Sequence, residues 1–206
     1  MDNNWDKYII GETNVLKNKL NITDKETLEQ KEKELVLPRL AYLHLNPILT
    51  NTDAEGLKNI HQILFSDLYS WAGQYRTCTL RKNTYNFIAP NLIEEELKNI
   101  IDRYSNEIDK VQTKDEYAFV LAPFYYDLIR IHPFREGNGR SIREFLREVV
   151  LLKNKVLPFE VELDYTKVDK DNMLKGTAYR YFYPSMLELE FSKGLIPLEK
   201  EKKNTK

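Results

Sequence analysis

The segment His132-Pro-Phe-Arg-Glu-Gly-Asn-Gly-Arg-Ser-Ile-Arg143 packs an imidazole, a carboxylate, two glycines, an asparagine and three arginines into a dozen residues. Histidine titrates near neutral pH, so His132 can take a proton from an incoming hydroxyl. Gly137 and Gly139 lack a Cβ, which allows positive φ and lets backbone N–H groups converge on an anion. Asn138 adds a side-chain donor in the same place. A helical pattern starts here, and a helix N-terminus offers unpartnered N–H groups and the positive end of a dipole. Arg140 and Arg143 are three apart on one face of that helix, and guanidinium groups grip phosphate oxygens bidentately. Glu136 is the lone acid beside this positive potential. One carboxylate next to phosphates is a common way to hold Mg2+, which keeps most of its waters. These residues read as a polyphosphate cradle with a metal-holding acid and a base at one end.

Other chemistries are excluded by what is missing. No Gly-Lys-Ser/Thr follows four variable residues, so this is not a Walker A loop. The other two histidines, His44 and His61, are isolated and Cys78 is the one cysteine, so no zinc-ligand spacing exists. His61 falls on an apolar helix face and is expected to be a buried, hydrogen-bonded structural imidazole; His44 is likewise expected to be structural.

His132 to Arg143 resembles the signature of the Fic family, His-x-Phe-x-Asp/Glu-Gly-Asn-Gly-Arg-x-x-Arg, with every fixed position filled. Asn14-Val-Leu-Lys-Asn-Lys-Leu20 resembles that family's N-terminal segment, and Ile60 to Thr77 the stretch leading into its flap. The resemblance implies a mainly α fold, a Fic-type helical bundle with a small β-hairpin flap. It implies AMP transfer from Mg-ATP to a hydroxyl side chain (Ser, Thr or Tyr) of a target protein. His132 would be the general base and Glu136 would hold Mg2+ against the α- and β-phosphates. Gly137, Asn138 and Gly139 would form the anion hole, with Arg140 at the β-phosphate region and Arg143 at the γ-phosphate. Phe134 would point inward and pin the loop. The flap residues Arg81, Lys82, Asn83 and Thr84 would dock the target by adding a strand to it. Many relatives have Lys-Gly where this chain has Lys82-Asn83, and Asn tolerates positive φ better than most residues. Tyr179 and Tyr183 are the candidates for the adenine pocket.

The elements that must position these residues follow from periodicity. Residues 1–22, with anchors such as Trp5, Tyr8 and Leu16, form an arm on the domain; 23–198 are the domain itself; 199–206 are a charged tail, expected to be disordered. Thr23-Asp-Lys-Glu26, Thr52-Asp-Ala-Glu55 and Thr113-Lys-Asp-Glu116 read as capping boxes with Thr at the N-cap. The first helix is charged through Lys33, turns apolar and ends near Asn46-Pro47, with Pro38 predicting a kink or break. The second carries Leu57, Ile60, His61, Leu64, Phe65 and Leu68 at spacings of three and four. Tyr75 to Pro90 suits a hairpin with an exposed polar tip. Asn91 should cap the next helix. The helix from Thr113 carries an apolar stripe straight into His132, with a kink at Pro123, and the helix after the motif should lie antiparallel to it. Phe159 to Leu163 alternates as a short strand or extended connection. A last helical region takes in Met173, Leu174 and Tyr179 to Tyr183, and Pro184 opens a closing helix from Ser185 to Phe191.

The chain has 206 residues, 42% hydrophobic and 31% charged, with a net charge of −1. That composition fits one globular domain and supplies no overall field for nucleic acid or anionic lipid, so neither is expected as a partner. A lone cysteine, no signal peptide and no long apolar run point to the cytoplasm.

Many Fic proteins carry an inhibitory helix, Ser/Thr-x-x-x-Glu-Gly/Asn. Here Glu55-Gly56 is preceded by Asn51 at the hydroxyl position, and Glu136-Gly137 belongs to the motif. The expectation is a separate small antitoxin whose glutamate meets Arg143, as in a toxin–antitoxin pair. Two rivals stand beside AMP transfer. A Doc-like kinase would have lysine at the position of Gly139, and transfer of UMP or phosphocholine is a variant of the same class. A nucleotide-binding module without catalysis would not need His132.

Overall fold

The computed structural model describes residues 7–82 and 85–198. Trp5, the expected docking residues Asn83 and Thr84, and the charged residues from 199 on lie outside the described residues. Seven α-helices and two small antiparallel strand pairs make up the described part.

Helix α1 runs over Lys25–Leu45 and α2 over Ala54–Phe65. Both begin one residue later than their threonines predict. Asp24 Oδ1 accepts from Thr27 N–H and Asp53 Oδ1 from Gly56 N–H, each at 2.8 Å, so aspartate displaces threonine as the cap. Pro38 does not break α1, which continues past it as helix. The expected break gives way because α1 is held from outside. Arg147 donates to Leu43 O at 3.0 Å, and Glu148 accepts the N–H groups of Ile48 and Leu49 just past the helix end.

Strands β1 (Arg81–Lys82) and β2 (Tyr85–Asn86) pair with Arg81 opposite Asn86 and Lys82 opposite Tyr85. The ladder is shorter than the Tyr75–Pro90 span suggested. Asn91 does not cap the next helix: it sits inside a 3-10 turn, Pro90–Leu92, and α3 (Ile93–Ile108) starts without a side-chain cap.

Helix α4 (Lys114–Ile131) has the predicted Thr113 cap, whose hydroxyl accepts from Glu116 N–H at 3.2 Å. It too passes its proline, Pro123, without interruption. Tyr117, Leu121, Phe124 and Leu128 are fully buried along its length, and α3, α5 and α7 pack around it. Helix α5 (Asn138–Lys153) is buried on several sides through Ile142, Phe145, Leu146, Val149 and Val150. Together α4 and α5 form the frame on either side of the signature loop.

Strand β3 (Val161–Leu163) is the alternating segment, and it pairs with β4 (Leu195–Pro197). Helix α6 covers Lys170–Ala178 and α7 Met186–Gly194. The expected helix through Tyr179–Tyr183 is not formed; those residues lie in the connection between α6 and α7, and Pro184 precedes α7 without belonging to it. The arm is stitched to the domain: Ile9 bridges Leu16, Lys19 N–H donates to Leu68 O at 2.8 Å, and Tyr8 is buried edge-on against Trp71.

Candidate active site

Helix α4 ends at His132 because that residue turns into the left-handed region, φ 51° and ψ 62°. A β-carbon there is uncommon, and the bend is held from beneath by a buried guanidinium. Arg76 donates to the carbonyls of Ile131 and His132 at the helix end, and to Cys78 O and Ile88 O at the two roots of the hairpin. A cation thus satisfies α4's terminal carbonyls at the negative end of its dipole and ties the flap to the same point.

The His132 ring faces the cleft with its tautomer assigned by geometry. Nδ1 lies 3.2 Å from Ile129 O, which can only accept, so Nδ1 carries the proton and Nε2 keeps its lone pair. Phe87, just past β2, stacks on the ring at 4.1 Å between centroids. Burial, with the charges of Arg76, Lys82 and Arg135 nearby, pushes the imidazole down to about 4. At neutral pH it is therefore unprotonated and able to act as a base.

The loop after His132 is closed by its own side chains. Asn138 Oδ1 accepts from Phe134 N–H and its Nδ2 donates to Phe134 O, both at 2.8 Å. The Asn138 side chain, expected as a donor to phosphate, is tied to the Phe134 backbone through its oxygen and one amide N–H, and is 2% exposed. Phe134 is fully buried and stacks at 3.8 Å on His61. His61 accepts Gly73 N–H at Nδ1 and reaches Glu136 O from Nε2 at 3.0 Å. Burial pushes His61 down to about 4 as well, as its acceptor role requires. The structural histidine is thus a support under the loop.

Positive φ is found at one of the two loop glycines. Gly137 has φ 79° and a Cβ there would stand 2.4 Å from the Phe65 ring, so only glycine fits. Gly139 lies inside α5 and needs no such freedom; a Cβ would meet only the flexible end of Arg143 at 3.2 Å. The first turn bond of α5 is Ser141 N–H to Gly137 O, leaving Asn138, Gly139 and Arg140 as the helix's first three amides without intrahelical acceptors. Glu136 accepts Gly137 N–H at 2.9 Å through its own carboxylate.

These groups line one cleft of about 450 Å³, together with Leu80, Arg81, Lys82 and Phe87 from the hairpin and its root. His132, Arg135 and Glu136 line it as well. The structure therefore brings together the base, the acid, the helix N-terminus, both arginines and the described part of the flap. It does not bring Tyr179 and Tyr183 to this cleft; both are about half exposed on the α6–α7 turn. Arg143 reaches the Tyr125 hydroxyl, and among the described residues none of the ion pairs engages it. Arg140 pairs with Glu32 of α1 and lies over the Phe65 ring at 4.8 Å.

Glu32, Phe65, Arg76 and Phe87 were not picked out from the sequence. Arg76 and Phe65 lie in the stretch that resembles the approach to the flap, which is the available signal; Glu32 is one of many charges in the first half of α1.

Residues 51–149 match the Fic/DOC family. The chain is 30% identical over 179 residues to "Protein adenylyltransferase VbhT" of Bartonella schoenbuchensis, covering 86% of this chain and 36% of that protein. It is 28% identical over 191 residues to "Probable protein adenylyltransferase y4lH" of Sinorhizobium fredii, covering 92% and 90%. Among solved structures it resembles the BepC effector of Bartonella tribocorum with bound AMPPNP, with a TM-score of 0.82, 24% identity, and coverage of 94% and 98%. That last likeness concerns the fold.

Proposed function

We propose, since this chain belongs to the Fic/DOC family, that it is a protein adenylyltransferase moving AMP from ATP to a hydroxyl side chain of a target protein. The observation that carries this is the cleft itself: an unprotonated His132 shares it with the N-terminal residues of α5 and two arginines. ATP lies with its phosphates on the N-terminus of α5, between Arg140 and Arg143. The target's Ser, Thr or Tyr oxygen attacks the α-phosphorus, the bond to the bridging β-oxygen breaks and pyrophosphate leaves. The proton of the hydroxyl goes to Nε2 of His132. The charge developing on the phosphate is met by main-chain N–H groups that are already in place. The Arg81–Asn86 hairpin, whose described strands are exposed, docks the target segment beside the base.

Glu136 suits Mg2+: its carboxylate is 46% exposed, beside the amides that would hold phosphate, and can leave Gly137 N–H for a cation. When bound, Mg2+ would neutralise phosphate charge and fix the leaving group. Gly139 separates this reading from kinase-type transfer, since lysine would fill that point.

For control, a separate small protein supplies a glutamate to Arg143, which has no carboxylate partner among the described residues. Purified protein that is inactive alone, yet activated by changes around Arg143, would contradict that. No helix among the described residues is long and apolar enough to cross a membrane, and the lone cysteine, buried, suits the cytoplasm.

The test uses ATP labelled on the α- or the γ-phosphorus, incubated with the enzyme and cell lysate. AMP transfer puts only the α label on protein, and His132→Ala removes it while ATP still binds. Label from the γ position, or equal labelling by wild type and His132→Ala, would overturn the assignment.

A further inference from the structure

The charged first half of α1 looks like a solvated face, yet one of its carboxylates is drawn inward. Glu32 has a side chain only 13% exposed, and its Oε1 accepts from Arg140, 108 residues further along the chain. Its Oε2 accepts the Tyr69 hydroxyl at 2.6 Å. Tyr69 is buried and stacks on Trp71 at 4.3 Å, and burial together with the Glu32 charge keeps its phenol protonated and donating. The Arg140 guanidinium is also covered on one face by Phe65 at 4.8 Å. Phe65 is the same ring against which Gly137 closes.

Arg140 is therefore held on one edge by a carboxylate that is itself held, and on one face by a ring. Its remaining N–H donors belong to the side that lines the cleft. The other carboxylate nearby is Glu136, at 3.9 Å from Arg140. Without Glu32, Glu136 is the acid that Arg140 would pair with, and the fork would turn along the loop instead of into the cleft. A guanidinium whose rotamer is already chosen loses less freedom when phosphate arrives.

We propose that Glu32, braced by Tyr69, is a positioning residue that aims Arg140 at the nucleotide's phosphates. This rests on the triphosphate reading of the cleft. Glu32 contacts no phosphate itself, and its negative charge opposes one, so its contribution is orientation. That distinguishes it from a mere tether of α1, which would affect stability and leave nucleotide affinity alone.

The experiment titrates Mg-ATP into protein carrying His132→Ala, which prevents turnover, and follows binding by calorimetry alongside thermal melting. Glu32→Ala is expected to weaken ATP binding about tenfold. Glu32→Gln keeps its one oxygen for Arg140, can turn its amide N–H toward the Tyr69 oxygen and drops the opposing charge; it is expected to bind at least as tightly as the parent. In an Arg140→Ala background, Glu32→Ala should add no further loss, because the group it aims is gone. If that background binds too weakly to titrate, Tyr69→Phe serves: it should weaken ATP binding in the parent and add nothing to Glu32→Ala. Loss of melting temperature with ATP affinity unchanged, or equal losses in both backgrounds, overturns the role of Glu32 alone. A parent protein that takes up no Mg-ATP overturns the nucleotide reading and this role with it.

Discussion

His132 and His61 have the same electrostatic fate for different ends. Both are pushed by burial down to about 4, but His61 spends both ring nitrogens on the backbone while His132 keeps Nε2 for the cleft. For the free enzyme, kcat/KM should stay flat from about pH 8 to about pH 5 and fall only as His132 takes its proton. A pH–rate profile with an acid limb at an ordinary histidine value would contradict the burial of the base. The two loop glycines should also separate. Gly137→Ala forces a Cβ into the Phe65 ring at a left-handed φ and is expected to cost more than about 1 kcal/mol of stability. Gly139→Ala has room and a helical backbone, so it should melt close to wild type while losing activity by narrowing the phosphate approach. Denaturant unfolding and labelling of target protein, run on both variants, check the pair.

At the level of elements, the β1–β2 hairpin and His132 are one mechanical unit. Arg76, 1% exposed, spans four carbonyls that belong to the end of α4 and to both roots of the β1–β2 hairpin. Arg76→Met leaves those buried acceptors without a donor and is expected to cost more than about 3 kcal/mol. Hydrogen exchange should show faster opening of residues 78–88, with α3 and α7 little changed. Uniform loosening of the whole chain would mean that Arg76 serves general stability. The capping results belong to this scale too. Asp24 and Asp53 outcompete the neighbouring Thr23 and Thr52, since the short carboxylate reaches the open amide three residues on and also favours the positive helix end. Helix α1 is unbroken at Pro38 and α4 continues past Pro123, because tertiary contacts along both helices outweigh one missing N–H.

Across the whole molecule the two buried imidazoles make the fold sensitive to acid. Each titrates near 6.5 when unfolded and near 4 when folded, so between those values the unfolded chain binds more protons. Stability from these groups is present in full above about pH 6.5 and is lost as pH falls toward 4, by on the order of 1–3 kcal/mol each. Melting temperature should fall across that window, and His61→Gln should flatten the slope by removing one of the two titrations. A melting temperature unchanged between pH 7 and pH 4.5 would refute it.

What the chain's order determined unaided was local. The signature from His132 to Arg143, the apolar stripes of α2, α4 and α5, and the Thr113 cap depend on residues within a turn or two of each other, and such spacing is written in the sequence. Tertiary structure alone decided the long-range partners: Glu32 against Arg140, Arg76 beneath His132, His61 under the loop, and Phe87 stacked on the base. It also turned the Asn138 side chain inward and left Tyr179 and Tyr183 away from the cleft. The reason is physical. A side chain's periodicity tells which face of an element it occupies, whereas its partner depends on which other face folding brings within a few ångströms.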